Sequence, residues 1–138
     1  MVSTIEEIRL GQLAIRFLLE GSASGGSVAM FEVDVPAGAK VPIPHSHDAY
    51  EETIYGLKGV ITWTVEGQRT DVGPGEVLCI PRGAVHHFNN TSGADVTMLC
   101  VVTGVADAPR PSFRYGAAER LSNAFPRRAW ERVLPLLT

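Results

Sequence analysis

The sequence lacks three features that would point to particular protein classes. It has no excess of positive charge, since its 138 residues have a net charge of -3, and we therefore expect no nucleic-acid partner. No apolar run approaches the roughly 18 residues of a membrane-spanning helix, so no membrane association is expected. The N-terminal residues have neither the basic start nor the apolar core of a secretion signal, which predicts a cytoplasmic protein.

Cysteine and histidine are also scarce. The two cysteines, Cys79 and Cys100, lie in apolar strand-like runs without a neighbouring metal-ligand pattern, so we expect buried, reduced thiols. There are only four histidines, and three of them fall in an ordered pattern that is described below.

What the sequence does contain is a series of short apolar strands. Alternating runs recur every eight to ten residues between glycines and prolines, which is typical of an all-β sandwich or barrel. A length of 138 residues with 45% hydrophobic residues suits a single domain, 1–138, with a barrel over about 8–105. The predicted strands are Ile8–Glu20, Ser27–Val35, Glu52–Leu57, Val60–Val65, Gln68–Val72, Val77–Ile80, Val85–Asn90 and Asp95–Val102.

The last part of the chain, 106–138, has a different pattern. A proline-rich stretch precedes two predicted short helices, 117–124 and 127–137. In the second, Trp130, Leu134 and Leu137 fall on one helical face. We expect this short C-terminal helical tail to pack on the barrel or on a partner subunit.

The stretch from Gly38 to Gly59 contains the beginning of a metal site. His45 and His47 are two residues apart, so in an extended chain their side chains point to the same face. Two carboxylates, Glu51 and Glu52, follow, and on position alone either could approach the histidines. A third imidazole comes from His86 further along the chain.

The spacing of these residues resembles that of the cupin family, which has the motifs G(X)5HXH(X)3,4E(X)6G and G(X)5PXG(X)2H(X)3N. The second motif matches at every position from Gly75 to Asn90. The first matches except that Gly38 lies one residue further from His45. The family spacing admits both Glu51 and Glu52 after the second histidine, but only Glu52 also has six residues between it and Gly59.

The resemblance implies a double-stranded β-helix, that is, a jelly-roll cupin barrel. It also implies one divalent transition metal ion, Fe, Mn, Ni, Cu or Zn, which three imidazoles and a carboxylate suit better than they suit Ca or Mg. The implied ligands are His45, His47, Glu52 and His86, with Glu52 doubling as a catalytic base. Alternation predicts an apolar pocket around the metal, lined by Phe31, Ile54, Trp63, Val65, Cys79, Phe88 and Met98.

The function that the resemblance implies is less specific than the site. The run Glu51–Gly59 is similar to that of quercetinase-like cupins, so we expect a metal-dependent, dioxygenase-like oxidoreductase acting on a small organic molecule. One alternative is a cupin that binds or senses a small ligand without turnover. Another is an isomerase or epimerase. The complete set of implied metal ligands argues against this alternative. Cupins commonly form homodimers through their outer strands, and we expect the same here, with Trp130, Leu134 and Leu137 offering apolar area.

Overall fold

The computed structural model describes residues 5–39 and 43–104, and the structural statements below concern these residues. Within them there is no helix with the length and apolarity that a membrane span requires. The predicted tail helices lie outside the described residues, as do Trp130, Leu134 and Leu137. The strands are β1 (Glu6–Leu10), β2 (Leu13–Leu19), β3 (Val28–Val35), β4 (Glu51–Lys58), β5 (Ile61–Val65), β6 (Gln68–Val72), β7 (Val77–Ile80), β8 (His86–Asn89) and β9 (Val96–Thr103).

The nine strands form two antiparallel sheets. The larger sheet has the order β1-β2-β3-β9-β4-β7, and the smaller has the order β6-β5-β8. Strands distant in sequence are neighbours in both sheets, as in β3 beside β9 and β5 beside β8. This confirms the predicted all-β jelly-roll barrel.

Alternation along the strands builds the core between the sheets. In β3 and β9 every second residue is buried, and the register pairs Phe31 with Cys100 and Val33 with Met98. Because paired residues in a sheet point to the same face, both strands bury their apolar side chains on the barrel interior. The smaller sheet contributes Ile61, Trp63 and Phe88 to the same cluster of buried residues.

One predicted strand is wrong, because 8–20 forms two strands rather than one. Leu10 pairs with Leu13 across a tight turn that contains Gly11, which has a left-handed φ of 60°. The sequence contained the signal for this turn. Apolar residues alternate with a period of two through Ile8 and Leu10. The next apolar residue of the pattern, Leu13, comes three residues after Leu10 instead of two, so the alternation is interrupted there.

Cys79 was also predicted wrongly, because it is exposed rather than buried. On β7 the register pairs Ile80 with Glu52 and Leu78 with Ile54, so the even-numbered residues face the interior. Cys79 therefore points outward and does not line the barrel. Cys100 is buried as predicted, and burial raises the pKa of its thiol well above the usual value, so it stays protonated.

Two residues of the cupin-like motifs stabilise loops and do not contribute reactive groups to the barrel interior. The Asn90 amide donates to the carbonyl oxygens of Val35 and Ala94 at 2.8 and 2.7 Å, which ties the β8–β9 loop to the end of β3. Gly59 has a φ of 71°, and a Cβ there would lie 2.7 Å from the carbonyl oxygen of Asp95. Only glycine satisfies both conditions at this turn.

A charged cluster joins β1, β2 and β3 on the outer face of the larger sheet. Arg16 forms hydrogen bonds with Glu32 and Asp34 and lies 3.6 Å from a carboxylate oxygen of Glu7. The guanidinium side chain is only 23% exposed. Its hydrogen bonds hold the pKa of the Asp34 carboxyl below its usual value.

We predict that Arg16→Ala lowers the free energy of unfolding by about 1–2 kcal/mol, because it leaves Glu32 and Asp34 without the cation to which both are hydrogen-bonded. Since the pKa of Asp34 is depressed in the folded state, this contribution is present above the unfolded pKa of about 3.9 and is lost as the pH falls through the folded value. Urea denaturation at neutral and acidic pH measures both effects.

The matched control is Arg9→Ala on the neighbouring strand, whose side chain is 65% exposed, and we expect it to cost less than about 0.5 kcal/mol. Equal losses for the two variants at neutral pH, or a loss for Arg16→Ala that does not shrink at acidic pH, would contradict this account of the cluster.

Candidate metal centre

The barrel brings the three predicted histidines together. His45 and His47 belong to the segment before β4, and His86 is the first residue of β8. All three are buried. Each offers one ring nitrogen, and these three nitrogens lie within 4.8 Å of one another. Oε2 of Glu52, the second residue of β4, lies 3.5 Å from Nε2 of His47 and 3.4 Å from Nε2 of His86.

Main-chain hydrogen bonds fix the positions of these histidines. His45 and His86 exchange both backbone hydrogen bonds, at 3.0 and 2.8 Å, so they form an isolated antiparallel bridge between the segment before β4 and the start of β8. The amide of Gly83 donates to the carbonyl oxygen of His47 at 2.7 Å. Gly83 has a φ of 75°, so the turn that follows Pro81 depends on a residue that tolerates the left-handed region.

Two of the histidine rings are oriented by backbone carbonyls. Nδ1 of His45 lies 2.7 Å from the carbonyl oxygen of Ile43, and Nδ1 of His86 lies 2.8 Å from that of Ala84. A carbonyl oxygen only accepts hydrogen bonds, so each Nδ1 must be the donor. In the neutral ring Nε2 then has a free lone pair, and Nε2 of His86 is buried without a hydrogen-bond partner.

His47 is oriented differently, by a residue that the sequence analysis missed. The Tyr50 hydroxyl lies 2.9 Å from Nδ1 of His47, and the two rings stack with centroids 4.5 Å apart. Tyr50 is only 5% exposed. The sequence shows that Tyr50 lies three residues after His47. It does not show that the side chain points inward, because no strand alternation extends over this segment.

The two adjacent glutamates have different surroundings. Glu52 is buried and faces the imidazoles, whereas the Glu51 side chain is 39% exposed and forms an ion pair with Arg82 at 2.9 Å. Hydrogen bonding to Arg82 lowers the pKa of Glu51. Glu51 is therefore engaged at the surface and not at the histidines.

Burial and the Glu52 charge set the protonation of the site. Burial lowers the pKa of His45 to about 4, which keeps this ring neutral. Burial opposes the charged forms of Glu52 and His86. Interaction with His47 and His86 outweighs burial for Glu52 and lowers its pKa, and interaction with Glu52 and with the carbonyl of Ala84 outweighs burial for His86 and raises its pKa. Burial raises the pKa of Tyr50 far above its usual value, so the phenol keeps its proton.

The residues predicted to line the site are mostly buried in the apolar core. Of the predicted lining residues, five are buried and Val65 is half-buried; the five are Phe31, Ile54, Trp63, Phe88 and Met98. The ring of Trp63 lies 6.1 Å from that of His86, and its buried Nε1 makes no hydrogen bond. His87 is half-buried and lies on the opposite face of β8 from His86, since successive residues of a strand point to opposite faces.

These residues fit a transition metal ion. The histidine cluster offers three imidazole nitrogens, two of them with tautomers fixed by backbone carbonyls, and a buried carboxylate borders the cluster. Nitrogen ligands of this kind suit Fe, Mn, Ni, Cu or Zn. The described residues thus contain a group of three histidines that could hold such an ion.

Comparison with known proteins agrees with the motifs. The family model described as "Cupin domain" matches residues 31–102. The chain is 25% identical over 109 residues to the quercetin 2,3-dioxygenase of Bacillus subtilis, an alignment that covers 79% of this chain but only 31% of that protein.

Solved structures with related folds have several activities in their names. A predicted oxalate decarboxylase from Thermotoga maritima superposes with a TM-score of 0.64 at 23% identity, covering 72% of this chain and 91% of that one. A sugar phosphate isomerase from Silicibacter pomeroyi superposes with a TM-score of 0.55 at 26% identity, covering 64% and 59%. The first shows a shared fold, and the names of the two structures give different reactions.

We predict that His86→Ala weakens metal binding by more than about 100-fold, because loss of a residue that only supports a ligand already costs 10–100-fold. Elemental analysis of protein purified without added metal, followed by titration with Zn²⁺, measures the effect. The matched control is His87→Ala, one residue along β8 and on the other face, which should bind metal as the wild type does. Equal metal content in the two variants would contradict the assignment.

Proposed function

The chain belongs to the cupin family, and on that premise we propose that it is a metal-dependent, dioxygenase-like enzyme acting on a small organic molecule. The observation on which this depends is the convergence of three buried imidazoles, with the ligand atoms within 4.8 Å of one another. In this proposal His45, His47, Glu52 and His86 hold one divalent transition metal ion. A bound ion of this kind supplies Lewis acidity and, where it is redox-active, electron transfer.

The protein's part in the reaction follows from the residues around the cluster. Four protein ligands leave one or two coordination positions for oxygens of a substrate, which favours a small enolate or diol. The apolar side chains of Ile54, Phe88 and Met98 exclude water and strengthen electrostatic interactions at the site.

Glu52 is the best-placed group to accept a proton. Its carboxylate is buried and its pKa is lowered, so it is ionised at neutral pH, and Oε2 faces the space between His47 and His86. In the proposed mechanism Glu52 takes the hydroxyl proton of the substrate at Oε2 as the substrate oxygen becomes anionic. Tyr50 keeps its own proton, and burial disfavours the protonated form of His45, so neither residue competes for this role.

Similarity to the quercetin 2,3-dioxygenase supports oxidative chemistry over the alternatives. The alignment covers 79% of this chain, and the run Glu51–Gly59 is similar to that of quercetinase-like cupins. The chain spans only about a third of that relative's length, so we do not assign the relative's substrate to this chain. We propose the wider class of small oxygen-rich organic molecules.

Trp63 offers a hydrogen bond to such a molecule. Among the described residues its buried Nε1 donor has no hydrogen-bond partner, and burying an unpaired donor costs about 1–3 kcal/mol unless a ligand or water accepts from it. The ring lies next to His86. A substrate oxygen bound at the histidine cluster is a suitable acceptor.

We predict that metal-loaded protein consumes dioxygen with at least one member of a panel of flavonols, β-diketones and catechols. An oxygen electrode measures the uptake, and mass spectrometry identifies the cleaved product. Failure of every panel member would contradict the dioxygenase proposal. If a panel member instead raised the melting temperature and was recovered unchanged, the non-catalytic binding alternative would be supported.

For any substrate found in this way, we predict that Trp63→Phe raises KM by about fivefold, the effect of losing one hydrogen bond worth about 1 kcal/mol. The metal content should not change, because Trp63 is not a ligand. The control is Phe88→Leu, which alters the neighbouring apolar wall without removing a polar atom and should leave KM within about twofold. A KM for Trp63→Phe equal to that of the wild type would exclude this role.

A further inference from the structure

We propose that Tyr50 is a positioning residue that allows His47 to change its tautomer when the metal binds. The inference rests on the proposed metal site but not on the proposed reaction. Its starting point is a difference among the three histidines: the Nδ1 partner is a backbone carbonyl for His45 and His86 but a phenol hydroxyl for His47.

The chemistry of these partners decides which tautomers are available. A carbonyl oxygen cannot donate, so His45 and His86 must have a proton on Nδ1. A hydroxyl group both donates and accepts, and rotation about one bond changes its role. His47 is therefore the only one of the three whose Nδ1 can be either donor or acceptor without losing its hydrogen bond.

In the metal-free protein the surroundings favour a proton on Nε2 of His47. This atom faces Oε2 of Glu52 across 3.5 Å, and an N–H dipole directed at a buried carboxylate is favourable, whereas a lone pair directed at it is repulsive. Nε2 of His86 faces the same oxygen at 3.4 Å, but in its neutral form the carbonyl of Ala84 holds the ring proton on Nδ1, so His47 is the ring of this pair that can direct its single proton at the carboxylate. In this state the Tyr50 hydroxyl donates to Nδ1.

In the metal-loaded protein the preference reverses. A histidine that binds metal through Nε2 must offer a lone pair there, so the ring proton must be on Nδ1. The ring loses one proton from Nε2 and gains one at Nδ1, and it is neutral in both states. The Tyr50 hydroxyl keeps its own proton and turns, so that its oxygen accepts from Nδ1.

Ring stacking keeps the imidazole in place while the hydrogen bond reverses. The rings of His47 and Tyr50 are 4.5 Å apart and inclined by 25°, and both side chains are buried. Tyr50→Phe keeps this stacking and removes only the oxygen. Nδ1–H of His47 then has no hydroxyl acceptor in the metal-loaded state, so we expect the affinity for Zn²⁺ to fall by about 10–100-fold, as for other residues that orient a ligand.

The experiment is ¹⁵N–¹H correlation spectroscopy of the histidine rings at mildly alkaline pH, in wild-type protein without metal and with Zn²⁺. We expect a proton on Nδ1 of His45 and His86 in both samples. His47 should have its proton on Nε2 without metal and on Nδ1 with Zn²⁺. Titration with Zn²⁺ then compares the affinities of wild type, Tyr50→Phe and Tyr55→Phe, the last being a control at a tyrosine that is 40% exposed on the outer face of β4.

The outcomes separate the proposals. If Zn²⁺ binds and His47 has the same tautomer in both samples, or if Tyr50→Phe binds Zn²⁺ as tightly as Tyr55→Phe, the role of Tyr50 is excluded while the metal site stands. If the wild type binds no Zn²⁺, the metal site and this inference both fail. Absence of oxygen uptake with a bound metal would contradict only the proposed reaction. The tautomer measurement needs no variant, so it decides the question even if Tyr50→Phe fails to fold.

Discussion

The pair of backbone hydrogen bonds between His45 and His86 is the constraint on which the site depends. It joins the segment before β4 to the first residue of β8, at 3.0 and 2.8 Å, and so places residues about forty positions apart at a fixed distance. The carbonyls of Ile43 and Ala84, each two residues before a histidine, then orient the rings. Because backbone groups supply these contacts, the positions of two imidazoles follow from the fold.

Much of the fold and the four candidate ligands could be predicted from the sequence, because each depends on local spacing. Alternation located most of the strands, and the two residues left between β5 and β6, Glu66 and Gly67, have the positive φ values of 48° and 78° that are typical of a two-residue hairpin turn. The choice of Glu52 rested on its distance from Gly59, and the structure places this carboxylate beside two imidazoles. Whether it binds the metal stays a prediction.

The parts that sequence could not predict depend on contacts between distant segments. Cys79 alternates correctly with its neighbours on β7, but which face is buried is set by the pairing of Ile80 with Glu52. Tyr50 lies in a segment without a regular period, so only the folded chain shows its hydroxyl beside His47. The reaction depends on contacts with the substrate, which neither spacing nor alternation encodes, because function resides in the particular site and not in the fold.

The central claim is that three histidines and one carboxylate hold a transition metal in this barrel, and X-ray absorption at the edge of the bound metal tests it most directly. For protein purified without added metal, the account predicts three imidazoles at about 2.0–2.1 Å and at least one oxygen at about 2.0–2.2 Å if the ion is zinc. A spectrum with sulfur ligands, or with fewer than three imidazoles, would contradict it.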